Sequence, residues 1–405
     1  MPNSTKSAQV LFSKKRPILA FAHHPWRESQ WMNRQQLLSR LNNRGWPIYY
    51  STGALDIWQR GCQAWCESSW FARWEKLDSV TLCHAARVLP RWRKSPSMEM
   101  VSIRYHARST IDRIKKIHGV SPILFCFNPI FWPYIRGFES MPLIFHAYDL
   151  FSGQPDWNPE KHFWQSELLA KANLVTASSK YIVSELHKQS GRNIQFLPNG
   201  ADVQVFSDAR YSDLPEHLKR IPKPRIGYCG AVNKKVDLCL VAELSRERPM
   251  WNWCFIGAVA EPELRRDPYL AEAFEFCLNA PNIHFLGERN FCDIPQYVAH
   301  MDVNIMCYRT DGDGWWKGVY PLKMHEYLAT GKPVVSSRID AVLDFSDNLR
   351  LADSIDSWLT NIEQAIVEND LMASTLRVNV AFENSWESRV DQLEDLIMNV
   401  LRTCN

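Results

Sequence analysis

Two hydrophobic rhythms alternate along the chain. Short, mostly apolar runs at 17–22, 46–50, 123–127, 143–146, 174–177 and 194–197 read as buried strands, while 34–43 and 162–171 place apolar residues at helical spacing. Arg44 and Gly45 close the first of those helices, so the opening fifty residues already form a βαβ unit. Strands without in/out alternation, separated by helices, belong to a parallel sheet covered on both faces. Residues 211–224 are polar and proline-rich, which predicts a linker. A second series follows, with 225–229 running into Gly230, 251–256 into Gly257 and 283–286 into Gly287, then 303–306 before an irregular loop and 333–336 after a helix. The expected fold is α/β, with two doubly wound halves facing across a cleft, because such sheets bind ligands beyond the carboxyl ends of their strands. The expected division is 1–210, a linker at 211–224, a second half at 225–385, and a last helix at 386–405 that packs back on the first half.

Composition narrows the function classes. A chain of 405 residues is too long for one core and suits two domains. A net charge of +3 is too small for a bulk nucleic-acid binder, so any partner must be read from local patches. The eleven cysteines include no Cys-x-x-Cys pair, which excludes a zinc ribbon or thioredoxin-type motif and fits reduced thiols. The first residues carry no apolar run of secretory type, and no run of 18 apolar residues exists, so the expected location is the cytoplasm. Tryptophan is abundant, 17 in all and 11 of them before residue 206, which points to an aromatic core or an amphipathic surface.

The most informative stretch is 320–337. Pro321 suits a helix start, Leu322, Met324, Tyr327 and Leu328 supply apolar faces, Gly331 suits a left-handed stop, and Pro333 forbids continuation. Glu326 lies one turn inside this short helix. A carboxylate there can accept bonds from two ribose hydroxyls while the free backbone N–H groups face phosphate.

This segment resembles the nucleotide-sugar signature of family-4-type glycosyltransferases of the GT-B fold, in which a Lys-x-x-Glu-Tyr-Leu-Ala-x-Gly-Lys-Pro-Val-Val run carries the ribose-binding glutamate. Lys323, Glu326, Gly331, Lys332 and Pro333 stand where that pattern wants them. The similarity extends to 177–181, 197–206, 226–230 and 285–302, and covers roughly 15–390, weakly between 50 and 120. It implies two Rossmann-like domains, an acceptor half and a donor half. It also implies transfer of a sugar from a nucleoside diphosphate sugar to a hydroxyl of a glycan or lipid-linked acceptor, with retention, in surface polysaccharide synthesis. The donor is a substrate, and no cofactor or metal is expected. A nucleotide-sugar 2-epimerase and a catalytically silent GT-B protein are the alternatives.

One departure stands out. Many members carry a glutamate against the transferred sugar eight positions before the ribose one, and here that position is Gly318. The loop at 309–318 offers Asp311, Asp313 and Lys317 instead, with Trp315 and Trp316 expected to be exposed on it. For the diphosphate the resemblance implies a basic residue after Gly230, and Lys235 is favoured with Lys234 as the alternate. In the first half His146 resembles the histidine placed against the donor sugar, and Asp149 follows three residues later. His23 and His24 point opposite ways on an extended chain, so they make a poor metal site. Residues 87–116 carry nine Lys/Arg against Glu99 and Asp112, interleaved with Trp92, Met98, Met100, Ile103 and Tyr105. That mixture suits an anionic membrane surface, on the inner face in view of the resemblance, better than RNA.

Overall fold

A computed structural model describes residues 15–27, 31–62, 65–66, 68–77, 80–311 and 314–403. Asp313 and the N-terminal stretch read above for targeting lie outside them. Among the described residues the strands form two sheets. The first comprises β1 (Ile18–Phe21), β2 (Ile48–Ser51), β3 (Arg73–Leu77), β4 (Val80–His84), β5 (Ile123–Cys126), β6 (Leu143–Ala147), β7 (Leu174–Ala177) and β8 (Gln195–Phe196), in spatial order 3-4-2-1-5-6-7-8. Its strands pair in parallel except β3, which returns antiparallel along β4 at the edge. The all-parallel expectation fails there because the connection between β3 and β4 is short enough for a hairpin and too short for a crossover.

Helices α1 (Asn33–Asn43), α2 (Pro96–His118), α3 (Pro159–Lys171) and α4 (Lys180–Ser190) cover this sheet. On one face Ile103, Ala107, Ile111 and Ile114 of α2 and Leu168 and Leu169 of α3 bury against Leu124, Phe145 and Val175. Ile103 is therefore core and not part of the basic surface expected at 87–116. On the other face Leu37, Leu38 and Leu41 of α1 pack on Ile18, Ala20 and Phe125.

The second sheet comprises β9 (Arg225–Cys229), β10 (Asn252–Ile256), β11 (Ile283–Gly287), β12 (Val303–Met306), β13 (Val334–Ser337) and β14 (Arg350–Ala352), in order 11-10-9-12-13-14 and parallel throughout. Around it lie α5 (Leu238–Glu247), α6 (Leu322–Ala329), α7 (Ile355–Val367), α8 (Leu371–Glu383) and α9 (Trp386–Thr403). Helix α9 returns to the first unit, where Trp386, Val390, Leu393 and Ile397 join the α1 core.

The chain leaves the first unit earlier than the linker at 211–224 implied. Val203 and Phe206 are already buried among Met306, Met324 and Tyr327, and Leu218 and Ile221 are buried against Cys254, Ile256 and Met301. Their prolines and charges mimic a linker, yet the apolar residues between them dock on the second sheet. The crossing lies near 198–202 and runs beside the return crossing at 384–386. The Ala201 amide donates to the Asn384 carbonyl at 3.3 Å, and the Trp386 amide to the Ala201 carbonyl at 3.1 Å. Gly200 permits this approach, since a Cβ there would lie 2.7 Å from the Trp386 nitrogen.

Candidate functional site

The carboxyl ends of β9, β10 and β11 open into three interlocked glycine turns. The Gly230 amide donates to the Ile256 carbonyl at 2.8 Å and the Gly257 amide to the Gly287 carbonyl at 2.9 Å. Gly230 and Gly257 have φ of 140° and 143°, in the region that side chains avoid. A Cβ at Gly257 would lie 2.3 Å from the Gly230 carbonyl oxygen, and a Cβ at Gly230 would lie 2.6 Å from the Lys323 ammonium. The sequence therefore keeps this rim bare of side chains.

Helix α6 places its first turn at the same rim. Apolar residues at its carboxyl end anchor it, with Tyr327, Leu328 and Ala329 fully buried, and Gly331 ends it at φ 68°. The Tyr327 hydroxyl reaches Cys229, accepting from its amide and donating to its carbonyl. Lys323 and Glu326, three residues apart, lie on one half-buried face. The Lys323 ammonium sits 3.7 Å from the centroid of the Tyr228 ring and 5.5 Å from that of Tyr308. Burial pulls its pKa down to about 8, against the opposing pull of Cys229, Cys307 and Glu326. Burial pushes the Glu326 carboxyl up to about 7, against the attraction of Lys323, with Asp202 adding to the rise. The first two turns of α6 thus hold an ammonium of lowered pKa and a carboxyl of raised pKa three residues apart.

The remaining residues of this half sit on the 230–236 and 309–319 segments. Lys234 and Lys235 are both exposed, but their surroundings differ. Lys234 lies 3.9 Å from Glu263, whereas the Lys235 ammonium stands 4.8 Å over the Trp315 ring. Lys235 is further held by its carbonyl, which accepts the Arg309 amide at 3.0 Å. Trp315 and Trp316 are not the exposed pair expected: both are half-buried against the cluster that contains Tyr308, Tyr320 and Met324. Lys317 points outward, and Asp311 is occupied by Arg309 at 2.9 Å. Gly318 is buried beneath the first unit, where a Cβ would lie 3.2 Å from that of Leu150.

In the first unit, His146 lies inside the carboxyl end of β6 and is 1% exposed. Its Nδ1 pairs with the Thr176 hydroxyl at 2.8 Å, its Nε2 lies 3.5 Å from the Asn33 amide nitrogen, and its ring meets Phe127 edge-on. Burial pulls its pKa down to about 3, so it is neutral at ordinary pH. Asp149 is exposed and caps its own turn, accepting from the Leu150 amide at 2.8 Å and from Gln154 at 2.9 Å. Leu322 bridges the halves, packing with Tyr148 against the first unit's core. His23 and His24 are exposed edge-on neighbours, and among the described residues no three His, Cys, Asp or Glu side chains converge as a metal cage.

Sequence reasoning placed the start of α1 within one residue but missed the burial of its first turn. Asn33, Arg34, Gln35 and Gln36 are four successive polar residues, all buried, at the carboxyl end of β1. Gln35 reaches the carbonyls of Pro25 and Trp26 and so pins the loop bearing His23 and His24. The signal was the polar run itself, opening the helix that follows a buried strand.

Residues 223–367 match the family described as glycosyl transferases group 1. TuaH of Bacillus subtilis (strain 168), a candidate teichuronic acid biosynthesis glycosyltransferase, is 26% identical over 175 residues, a match that spans 42% of this chain and 42% of that protein. Among solved structures, Anabaena HepE in complex with UDP and glucose superposes with a TM-score of 0.66 at 14% identity, covering 95% of this chain and 100% of that one. Sucrose-phosphate synthase from Thermosynechococcus elongatus gives 0.66 at 14% identity, covering 96% and 100%.

Proposed function

Since residues 223–367 form a glycosyl transferases group 1 domain within a GT-B fold, we propose that this chain transfers a sugar from a nucleoside diphosphate sugar to a hydroxyl of a glycan or lipid-linked acceptor. The observation that carries this reading is the pairing of Glu326 and Lys323 on the first turns of α6, beside a rim that admits only glycine. Glu326 accepts the two ribose hydroxyls. The diphosphate lies against the α6 N-terminus and the Gly230 turn, with Lys323 beneath and Lys235 at the mouth. As the bond from the anomeric carbon to the phosphate oxygen breaks, negative charge grows on the diphosphate, and these cations stabilise it more than they stabilise the intact donor. The acceptor oxygen forms the new bond to that carbon, and its proton leaves to the diphosphate or to solvent. Lysines and helix dipole take the place a metal would have. His146 and Asp149 serve on the sugar side, Leu322 and Lys317 border the donor, and retention follows the resemblance. A lipid-linked acceptor, in surface polysaccharide synthesis at the inner membrane face, would bring α2 to a bilayer, although no described helix is long and apolar enough to cross one.

Calorimetry with a panel of nucleoside diphosphates and their sugars, followed by release of the labelled sugar, tests this. Binding and sugar release or transfer support it. Binding without release on any acceptor would leave a silent binding protein, and a C2-inverted nucleotide sugar would mark an epimerase.

A further inference from the structure

The first unit exposes large aromatic side chains in one region. Trp58, Trp70 and Phe71 are 59%, 67% and 76% exposed, on the segment leading into β3. Monomeric surfaces seldom present such residues together unless something covers them. Contacts across the segment make them part of one face with α2. Lys94 stands over Trp58 at 4.9 Å, the Val88 amide bonds the Trp70 carbonyl, and Ser102 of α2 bonds the Pro90 carbonyl. Trp70 and Phe71 share a shallow groove of about 560 Å³ with Arg73, Trp74 and Arg113, the last stacked 4.0 Å over Trp74. Val101, Tyr105 and Arg104 continue the face along the outer side of α2, all exposed.

Charge identifies the occupant. Residues 56–116 hold twelve Lys/Arg against six Asp/Glu, a local excess larger than the +3 of the whole chain, so the rest of the molecule is net negative. Among the described residues the carboxylates here already have cations: Asp56 pairs with Arg93, Glu99 with Arg91, Asp112 with Arg108, and Glu75 with Arg27 and Arg73. Arg60, Lys94, Arg104, Arg113, Lys115 and Lys116 exceed that pairing. Indole and phenyl rings flanked by unmatched guanidinium and ammonium groups match the two layers of a bilayer interface, apolar below and phosphate above.

We propose that the face formed by Trp58, Trp70, Phe71 and the outer side of α2 docks on an anionic bilayer, with those three rings entering the interface and the surplus cations lying on lipid phosphates. This deepens the membrane clause of the proposed function and is independent of the sugar chemistry. The sequence stretch first read for this role, 87–116, supplies the cations, whereas the most exposed aromatic residues lie outside it.

Flotation with phosphatidylcholine vesicles, with and without about 30 mol% phosphatidylglycerol, tests the proposal. The wild type is expected to float with the anionic vesicles and to be released by about 0.5 M salt. The pair Trp70→Ser/Phe71→Ser, and separately the triple Arg104→Gln/Lys115→Gln/Lys116→Gln, should each lower partitioning by about tenfold. Leu371→Ser/Met372→Ser, equally exposed but on α8, should float like the wild type. Nucleoside diphosphate binding measured on the same preparations should be unchanged in all three, which confirms folding and keeps this test separate from that of the donor site. Failure of the wild type to float, equal loss in the α8 variant, undiminished flotation of both face variants, or retention on single-stranded RNA with none on vesicles would overturn it.

Discussion

The Tyr327 hydroxyl closes a two-way hydrogen bond with Cys229, accepting from its amide at 2.7 Å and donating to its carbonyl at 3.2 Å. One buried side chain of α6 thereby fixes the last residue of β9, immediately before the Gly230 turn. Tyr327→Phe removes both bonds and leaves a buried amide and carbonyl without that partner. The variant should lose about 1–3 kcal/mol in denaturant unfolding. Nucleoside diphosphate affinity should fall as well, because the turn meant to receive the phosphate is no longer held. Unchanged affinity with reduced stability would show that the bond serves the fold alone.

Glu326 and Lys323 should make nucleotide binding depend on pH in opposite directions. The folded pKa of Glu326 is raised to about 7, so its contribution to stability is fully present below the unfolded value and is lost as pH climbs through about 7. Lys323 is depressed to about 8, so its contribution is present above its unfolded value and is lost as pH falls through about 8. Glu326→Gln should therefore flatten the decline in ligand-free stability on approaching pH 7 while weakening nucleoside diphosphate binding at least about tenfold. Thermal unfolding across pH 5–9, with and without ligand, reads both effects.

The two glycines with similar φ should respond unequally to a methyl group. At Gly230 the added carbon meets the far end of the Lys323 side chain, which can move, whereas at Gly257 it meets the Gly230 backbone, which cannot. Gly257→Ala should destabilise by more than Gly230→Ala, each costing on the order of 1–3 kcal/mol from backbone strain alone. In Gly230→Ala the displaced ammonium should appear as lost diphosphate affinity. The reverse ranking in denaturant midpoints would contradict the rim geometry.

Lys235 and His146 should separate binding from turnover. Lys235→Ala should weaken nucleoside diphosphate binding and slow turnover, and Lys234→Ala, which removes a partner of Glu263, should do less of either. His146→Ala should slow turnover while sparing affinity for the bare diphosphate. Because the imidazole is held neutral down to about 3, its contribution to stability is present above the unfolded histidine value and is lost as pH falls toward 3. The substitution should accordingly reduce acid sensitivity between pH 6 and 4. Loss of diphosphate affinity in His146→Ala equal to that in Lys235→Ala would remove the histidine from the sugar side.

What the sequence made legible was whatever covalent geometry enforces locally. The glycines after β9, β10 and β11 announced strand ends, and Pro321 with Gly331 bracketed α6, because each of those residues restricts or frees φ in a way no neighbour can change. The misses involve burial decided at a distance. Asn33, Arg34, Gln35 and Gln36 are polar by type and buried by position, so a pattern that equates polar with exposed passes over them. Residues 211–224 look like a linker because their prolines and charges outnumber Leu218 and Ile221, the two side chains that dock. Trp315 and Trp316 are covered by residues brought together only by the folded second unit. Leu150 opposite Gly318 likewise lies on the other half of the chain.

The adjacent crossings at 198–202 and 384–386 bear on how the molecule can be divided. Because α9 supplies Trp386, Val390, Leu393 and Ile397 to the core beneath β1, a fragment ending at residue 210 would lack an inner wall, and one beginning at 211 would carry that wall as an exposed apolar face. Loss of the last twenty residues should accordingly unfold the half of the protein that lies farthest away in sequence. Any change of angle between the two units would also turn on two chain segments at once, since Ala201 is hydrogen-bonded to Asn384 and Trp386. A paired connection of this kind bends more readily about one axis than it twists about the other, so a change of angle between the two units would preserve their register.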